Sequence, residues 1–499
     1  VVVECPDGAV SSSVHIESSS IHDNAGSGLY LLPGVDNDCD SEIVDSSLSR
    51  NNLHGVRVAG GSSTDLDFSL SLHGTTCSST EVDGVHVDLA ATTGRSSVDA
   101  SSLVCDSNGG DGLAYSSGGG AGKATFKEFT VTRNGVSGAR LVPGPGDGTD
   151  GLPPSSLEVI VASGEASGNL ENGINVGSAS TGAGAGKANF QDFHFRSNAG
   201  SGLSSTAPVT AESCDFTGNG ANGVVVEARR ELQGHVTLIK RCAATNNEES
   251  GIRVSTSEPQ AGVDLHLVDT VASSNGLQGV HVTCDSATAL MAVACTGLHA
   301  SSNLANGMLV VPVAMDKGLR FSASSSSFSG NGQSGFQTGP DRLAVCDISS
   351  SEATGNAGTG LLIECDAVHL ASNNIGSNGQ DGIYLAGAAG GVVRDNTCAG
   401  NAGRGIAINT SHVEYATNRC ASNGEAGIEV VGGFGNMIAD SFVSGNAAPG
   451  IVLNSSENRL HGNSSGLSAG FIFTPDPAVF NDIAPQNPAS IGGDTNVGF

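Results

Sequence analysis

The sequence predicts an all-β solenoid in which each repeat forms one coil of short, parallel strands. The first observation is a recurring phrase, seen in TGNGANGVVV at 217–226, with Asn, three variable residues, Gly, then apolar residues one and three places on. Counting from its Gly as zero, the phrase occurs in 17 copies between Gly28 and Gly450, and in 16 of them Asn stands at −4, the exception being Thr80. The spacing is 28 residues from Gly223 through Gly335 and 22–25 thereafter, a period that belongs to solenoids and arrays. The second observation is the pattern inside a copy. Positions +1 and +3 are apolar (Val224 and Val226, Ile252 and Val254, Ile406 and Ile408), which is the two-residue period of a strand with one buried face.

Each element of a coil follows in turn. Position −7 gives a second apolar column (Ile21, Leu48, Cys77, Cys105, Val131, later Phe216 and Ala244), so a copy holds two or three short strands separated by Gly/Asn/Ser turns. No copy has room or pattern for a ten-residue helix, which excludes ankyrin, tetratricopeptide and leucine-rich arrays. Strands stacked at about 4.8 Å per coil make 17 coils a rod of roughly 80 Å. The Asn at −4 suits a corner: it tolerates left-handed backbone, and its amide can bond the Asn above and below. The Gly either takes positive φ or leaves space where the chain enters the strand.

The N-x-x-x-G-(I/V/L)-x-(V/I/L) phrase, over residues 15–460, resembles that of right-handed, single-stranded parallel β-helix repeat proteins of the pectate-lyase-like superfamily. That resemblance implies extracellular polysaccharide lyases, hydrolases and epimerases, and equally tailspikes, adhesins and surface proteins without chemistry. Neither the NTD…DD…GHG…RIK pattern of the galacturonases nor the DPHD of mannuronan epimerases occurs. Trp is absent, and Tyr30, Tyr115 and Tyr384 are three of only 4 Tyr available for sugar stacking.

The domain reading is a parallel β-helix over 1–461, with an incomplete N-terminal coil, and a cap over 462–499 whose Phe and Pro would block end-to-end strand pairing. The Pro/Gly-rich 142–156 reads as a loop thrown out from the rod. GAGK at 120–123 and 184–187 precedes Ala and a strand pattern, so it is no nucleotide loop. A net charge of −29 argues against nucleic acid and anionic membrane surfaces, and no apolar run is long enough to insert in a bilayer. The chain begins VVVECPDG without Met, as a mature product or a fragment would.

Three cysteine pairs fall in register one coil apart: Cys77 with Cys105, Cys214 with Cys242, and Cys398 with Cys420. Their expected Cα separation lies in the disulfide range, so vertical disulfides are expected, with packed thiols as the alternative. Disulfides would favour a secreted or periplasmic protein.

For chemistry, DNDCDSE places Asp36, Asp38, Asp40 and Glu42 at alternate positions. Such a loop can converge on Ca²⁺, although a solvated acidic loop is the commoner outcome and no cofactor is required by the sequence. Outward columns bring distant residues together. Column −1 gives His54, Asp83 and Asp111 in consecutive coils, and column +2 gives Arg57, His86, Ala114 and Arg140. There His86 could act as general base, Asp83 or Asp111 could orient it or act as acid, and Arg57 and Arg140 could hold a uronate carboxylate. Glu227, Arg253 and His281 make a weaker second patch. Two functions follow. The first is a non-enzymatic secreted or cell-surface rod, acting as structural or adhesion scaffold with a glycan or surface-protein partner and self-assembly through its ends or a lateral face. The alternative is a polysaccharide lyase or C5-epimerase acting on a uronate polymer through the His/Asp/Arg patch. Both place the chain outside the cytoplasm.

Overall fold

A computed structural model describes residues 1–4, 11–34, 38–60, 67–89, 94–143, 156–177, 186–228, 235–256, 262–285, 291–313, 318–339, 341–466, 471–473 and 482–483. Among them every named element is a strand, and no helix is long and apolar enough to cross a membrane. The chain divides into two compact units, Val1–Glu249 and Ser250–Phe499.

In the first unit the strand after each phrase glycine stacks, parallel and in register, on its equivalent one coil away. Leu29–Leu32, Val56–Ala59, Val85–Asp88, Leu113–Ser116 and Ala139–Val142 follow one another in this ladder. A second ladder is built from longer strands, among them Asp38–Val44, Phe68–His73, Ser96–Ser101 and Ala121–Thr132. The second unit has the same construction, with Leu361–Ala371, Ile383–Ala386, Ile406–Asn409 and Ile428–Gly432 in its post-glycine ladder. The apolar columns meet inside each coil. Val56, Val58, Val85, Leu48, Cys77 and Cys105 are fully buried in the first unit, as are Ile383, Leu385, Ile406 and Cys398 in the second.

The Asn at −4 bonds from coil to coil. Asn219 donates through Nδ2 to Asn247 Oδ1 at 2.9 Å and to the Phe195 carbonyl at 3.2 Å, and its own Oδ1 accepts from Asn198 at 3.0 Å. Asn378, Asn401 and Asn423 do the same in the second unit. The left-handed residue of the corner stands one place earlier, at Arg50, Ser107, Arg133, Ser377 and Ser422, with φ between 53° and 57°. The Asn itself is therefore free to point its amide along the stack. The phrase glycine leaves space: a Cβ on Gly84 would lie 2.6 Å from the Gly112 carbonyl and 2.8 Å from Asn108 Nδ2.

The expected disulfides do not form. Cys77, Cys105, Cys214, Cys242, Cys398 and Cys420 are all buried free thiols, although Cys77 pairs with Cys105 and Cys398 with Cys420 as direct ladder neighbours. In-register parallel strands carry side chains with parallel Cα–Cβ vectors, held one strand spacing apart. A disulfide needs Cβ atoms about 3.8 Å apart and vectors that converge, so Cα distance alone is an insufficient test. The thiols act as small core residues, and burial pushes Cys77 up to about 12. Of the expected loop at 142–156, residues 144–155 lie outside the described residues, as does most of 462–499.

Candidate functional site

The site is built on consecutive coils of the first unit. Register fixes one of its two rows: Tyr30, Arg57, His86, Ala114 and Arg140 are successive ladder partners on the outward face. The other row, immediately before the phrase glycines, is His54, Asp83 and Asp111, which are only 7%, 6% and 3% exposed. They are buried because each braces the backbone of the next coil. The Asp83 N–H donates to His54 Nδ1 at 3.3 Å, the Asp111 N–H to Asp83 Oδ1 at 2.7 Å, and the Ser137 N–H to Asp111 Oδ1 at 3.0 Å. Asn172 continues the brace by accepting from the Ser201 N–H at 2.9 Å.

Each carboxylate keeps a second oxygen for the outward row. Asp83 Oδ2 lies 2.7 Å from His86 Nδ1, and Asp111 Oδ2 accepts from Arg140 Nε at 2.8 Å. Burial opposes the charge on Asp83, but hydrogen bonds from His86 and the Asp111 N–H outweigh it, and its pKa falls below the ordinary value. Asp111 goes the other way: burial dominates despite Arg140, and its pKa is raised. His54 is lowered to about 4, first by burial and then by repulsion from His86 and Arg57, so it is neutral at neutral pH. Its Nδ1 already accepts a backbone N–H, so its approach to Asp83 Oδ2 at 3.6 Å is not an ion pair.

His54 and His86 pack with ring centroids 4.7 Å apart. The Arg57 guanidinium sits 5.0 Å from the Tyr30 ring centroid, while its Nε is buried and has no hydrogen-bond partner among the described residues. With Nδ1 committed to Asp83, the second nitrogen of His86 remains for a reacting group. His54, Asp83 and His86 also offer ligand atoms that all lie within 4.8 Å of one another, so the trio could hold a divalent metal ion. Two imidazoles and one carboxylate suit a zinc-like ion at least as well as Ca²⁺.

Every residue of the expected patch is therefore brought together. The acidic stretch differs from its expected form. Asp38, Asp40 and Glu42 lie on the strand Asp38–Val44 as an exposed row, and Asp36 lies outside the described residues. Ser69 donates to Asp40 at 2.5 Å, and His15 lies 3.0 Å from Glu42. Asp38 and Asp40 instead line a cleft of about 540 Å³ together with Asp67, Arg95, Lys123 and Glu158, on the ladder that does not carry His86. Tyr115 is no sugar platform: it is 1% exposed, and its hydroxyl bonds Ser96 at 2.7 Å. Of the second patch, Arg253 and His281 are ladder partners in the second unit.

The brace through the −1 column was missed at the sequence level, although its signal was present. Ser27, His54, Asp83, Asp111, Ser137, Asn172, Ser201 and Asn222 are polar acceptors in unbroken succession.

Among known proteins, the family described as "Right handed beta helix region" matches residues 313–465. No curated protein matches the chain. Similar solved structures include the Azotobacter vinelandii mannuronan C-5 epimerase AlgE4 A-module, at 14% identity over 74% of this chain and 91% of that one, TM-score 0.34. The periplasmic alginate epimerase AlgG is similar at 10% identity over 88% and 77%, TM-score 0.24. The PL6 family alginate lyase AlyGC is similar at 8% identity over 97% of each chain, TM-score 0.18. At these values the likeness does not extend to individual site residues. In fold, the chain is a right-handed parallel β-helix solenoid.

Proposed function

We propose that the chain is a polysaccharide lyase or C5-epimerase that acts on a uronate-containing polymer through the His86 site. One observation carries this over the scaffold reading: a half-buried His86 held at 2.7 Å by a buried carboxylate, with Arg57 beside it in ladder register. The backbone brace accounts for the burial of Asp83, but not for the histidine that meets its second oxygen. The proton at C5 of a uronate lies α to its carboxylate, and neutralising that carboxylate by Arg57 and Arg140 makes the proton easier to remove. Asp83 fixes the proton on His86 Nδ1 and stabilises the imidazolium, so Nε2 is the base. The C5–H bond breaks toward Nε2. The electron pair left at C5 either expels the 4-linked oxygen, which takes the proton now on Nε2 and leaves an unsaturated sugar, or takes a proton from a solvent water on the opposite face, giving the epimer.

Arg57 supports the anionic substrate in a second way. Its buried Nε has no acceptor among the described residues, at a cost of about 1–3 kcal/mol, and a turn of the guanidinium onto a bound carboxylate would relieve that cost. Such a polymer is an extracellular, cell-surface or periplasmic material, and the reading places the chain there. The test is a screen of uronate polymers for unsaturated product by ultraviolet absorbance and for epimerised residues by NMR. Wild type should be active on at least one polymer, and His86→Ala should lose that activity. Equal activity of the variant would remove this mechanism, and inactivity on all uronates would return the chain to the scaffold reading.

A further inference from the structure

The second unit holds a cleft of about 390 Å³, lined by Arg342, Glu364, Tyr384, Asn409, Thr410 and Ser411. Gly433 and the small residues at 386–389 form the rest of its wall, which leaves the cleft open. Gly387 has φ 83°, and a Cβ there would lie 2.8 Å from Arg342 Nε. The glycine thus lets the guanidinium lie against the backbone. Arg394 and Arg404 in the same unit pair with Asp395 and Asp381, whereas Arg342 forms no ion pair among the described residues. In so acidic a chain, a cation left unpaired in a concave site is available to an incoming anion.

We infer that this cleft is a binding site for a carboxylated pyranose, a uronate residue of an acidic polysaccharide. The Arg342 fork takes the sugar carboxylate. The half-buried Tyr384 projects from the strand Ile383–Ala386 and offers its ring to the sugar face. Glu364 and Asn409 accept and donate to the ring hydroxyls. The inference deepens the proposed function by giving the same polymer class a second, non-catalytic hold, and it is read by binding rather than by turnover.

The experiment is calorimetric titration with a uronate hexasaccharide, and with a neutral hexasaccharide as control. His86→Gln serves as the background, so that nothing is consumed. Two sites per chain are expected. Adding Arg342→Gln should weaken the second at least about tenfold, with Arg342→Lys keeping part of the affinity because charge remains without the fork. Tyr384→Ala should weaken the same site, and all variants should keep the parent melting curve because these side chains lie on the surface. If His86 is not catalytic, the Arg342-sensitive site should still appear. An isotherm unchanged by Arg342→Gln, or equal binding of the neutral sugar, overturns the inference.

Discussion

Asp83 in the first unit and Asp381 in the second stand at the same place in their coils, immediately before the phrase glycine. Each uses one carboxylate oxygen to accept the N–H of the equivalent residue in the next coil, at 2.7 Å in both cases. Their other oxygens face different company. Asp83 Oδ2 meets His86, with His54 beside it, whereas Asp381 Oδ2 takes Arg404 at 2.9 Å, and Glu429 lies 3.5 Å from the same guanidinium. Arginine stays charged across the working range, so the second pair is fixed structure. An imidazole held by a carboxylate is the arrangement a general base needs, so the first pair is where the proposed chemistry is placed. The shared brace explains why an aspartate is buried in both places. The neighbour is what differs, and the proposed function rests on it.

The largest expected effect separates the two regions by activity. His86→Ala should lower turnover of the responsive uronate polymer by about 10²–10⁴-fold, while Arg404→Ala should leave turnover within about twofold, because its pair with the buried Asp381 lies in the other unit. Asp83→Asn sharpens the contrast. The amide oxygen can still accept the Asp111 N–H, so the melting temperature should change little, yet the amide cannot stabilise an imidazolium and activity should fall. Asp381→Asn should do the reverse, costing about 1–2 kcal/mol through Arg404 with no change in activity.

The Asn stack should break alike in both units. Asn219→Ala and Asn401→Ala each leave buried backbone groups without partners, at roughly 2–4 kcal/mol by denaturant titration. A far larger loss in one unit would show that the stack is not equivalent in the two.

A pH dependence is also expected that is specific to the first unit. His54 titrates at about 4 in the folded chain and at its ordinary 6.5 when unfolded. Between those values the unfolded chain binds more protons, so stability falls as pH drops from 6.5 toward 4 and is independent of this group above 6.5. The loss is up to about 3 kcal/mol, and His54→Asn should flatten that part of the curve.

Sequence periodicity revealed the coil count, the inward columns and the neighbours of His86, because in-register stacking makes arithmetic on residue numbers equivalent to arithmetic on positions. It was silent wherever direction mattered. Column −1 reads in the sequence as an outward column, and only the side chains' turn toward the next coil's N–H groups buries His54 and Asp83. The cysteines failed for the same reason, since register brings Cα atoms together without making Cβ vectors converge. The left-handed corner fell on Ser107 and Arg133 and not on the Asn that follows each. Alternate carboxylates at 38–42 proved to be one face of a strand, because period two reads equally as a strand or as ligand spacing.

The most direct measurement is exchange at C5. The chain is incubated with its uronate polymer in D₂O, and the polymer is read by NMR for deuterium at C5 or for the unsaturated product. Wild type should show one or the other, and His86→Gln should show neither while binding the polymer as before. Absence of both signals with wild type, or the same signal with the variant, would contradict a proton-abstracting site at His86.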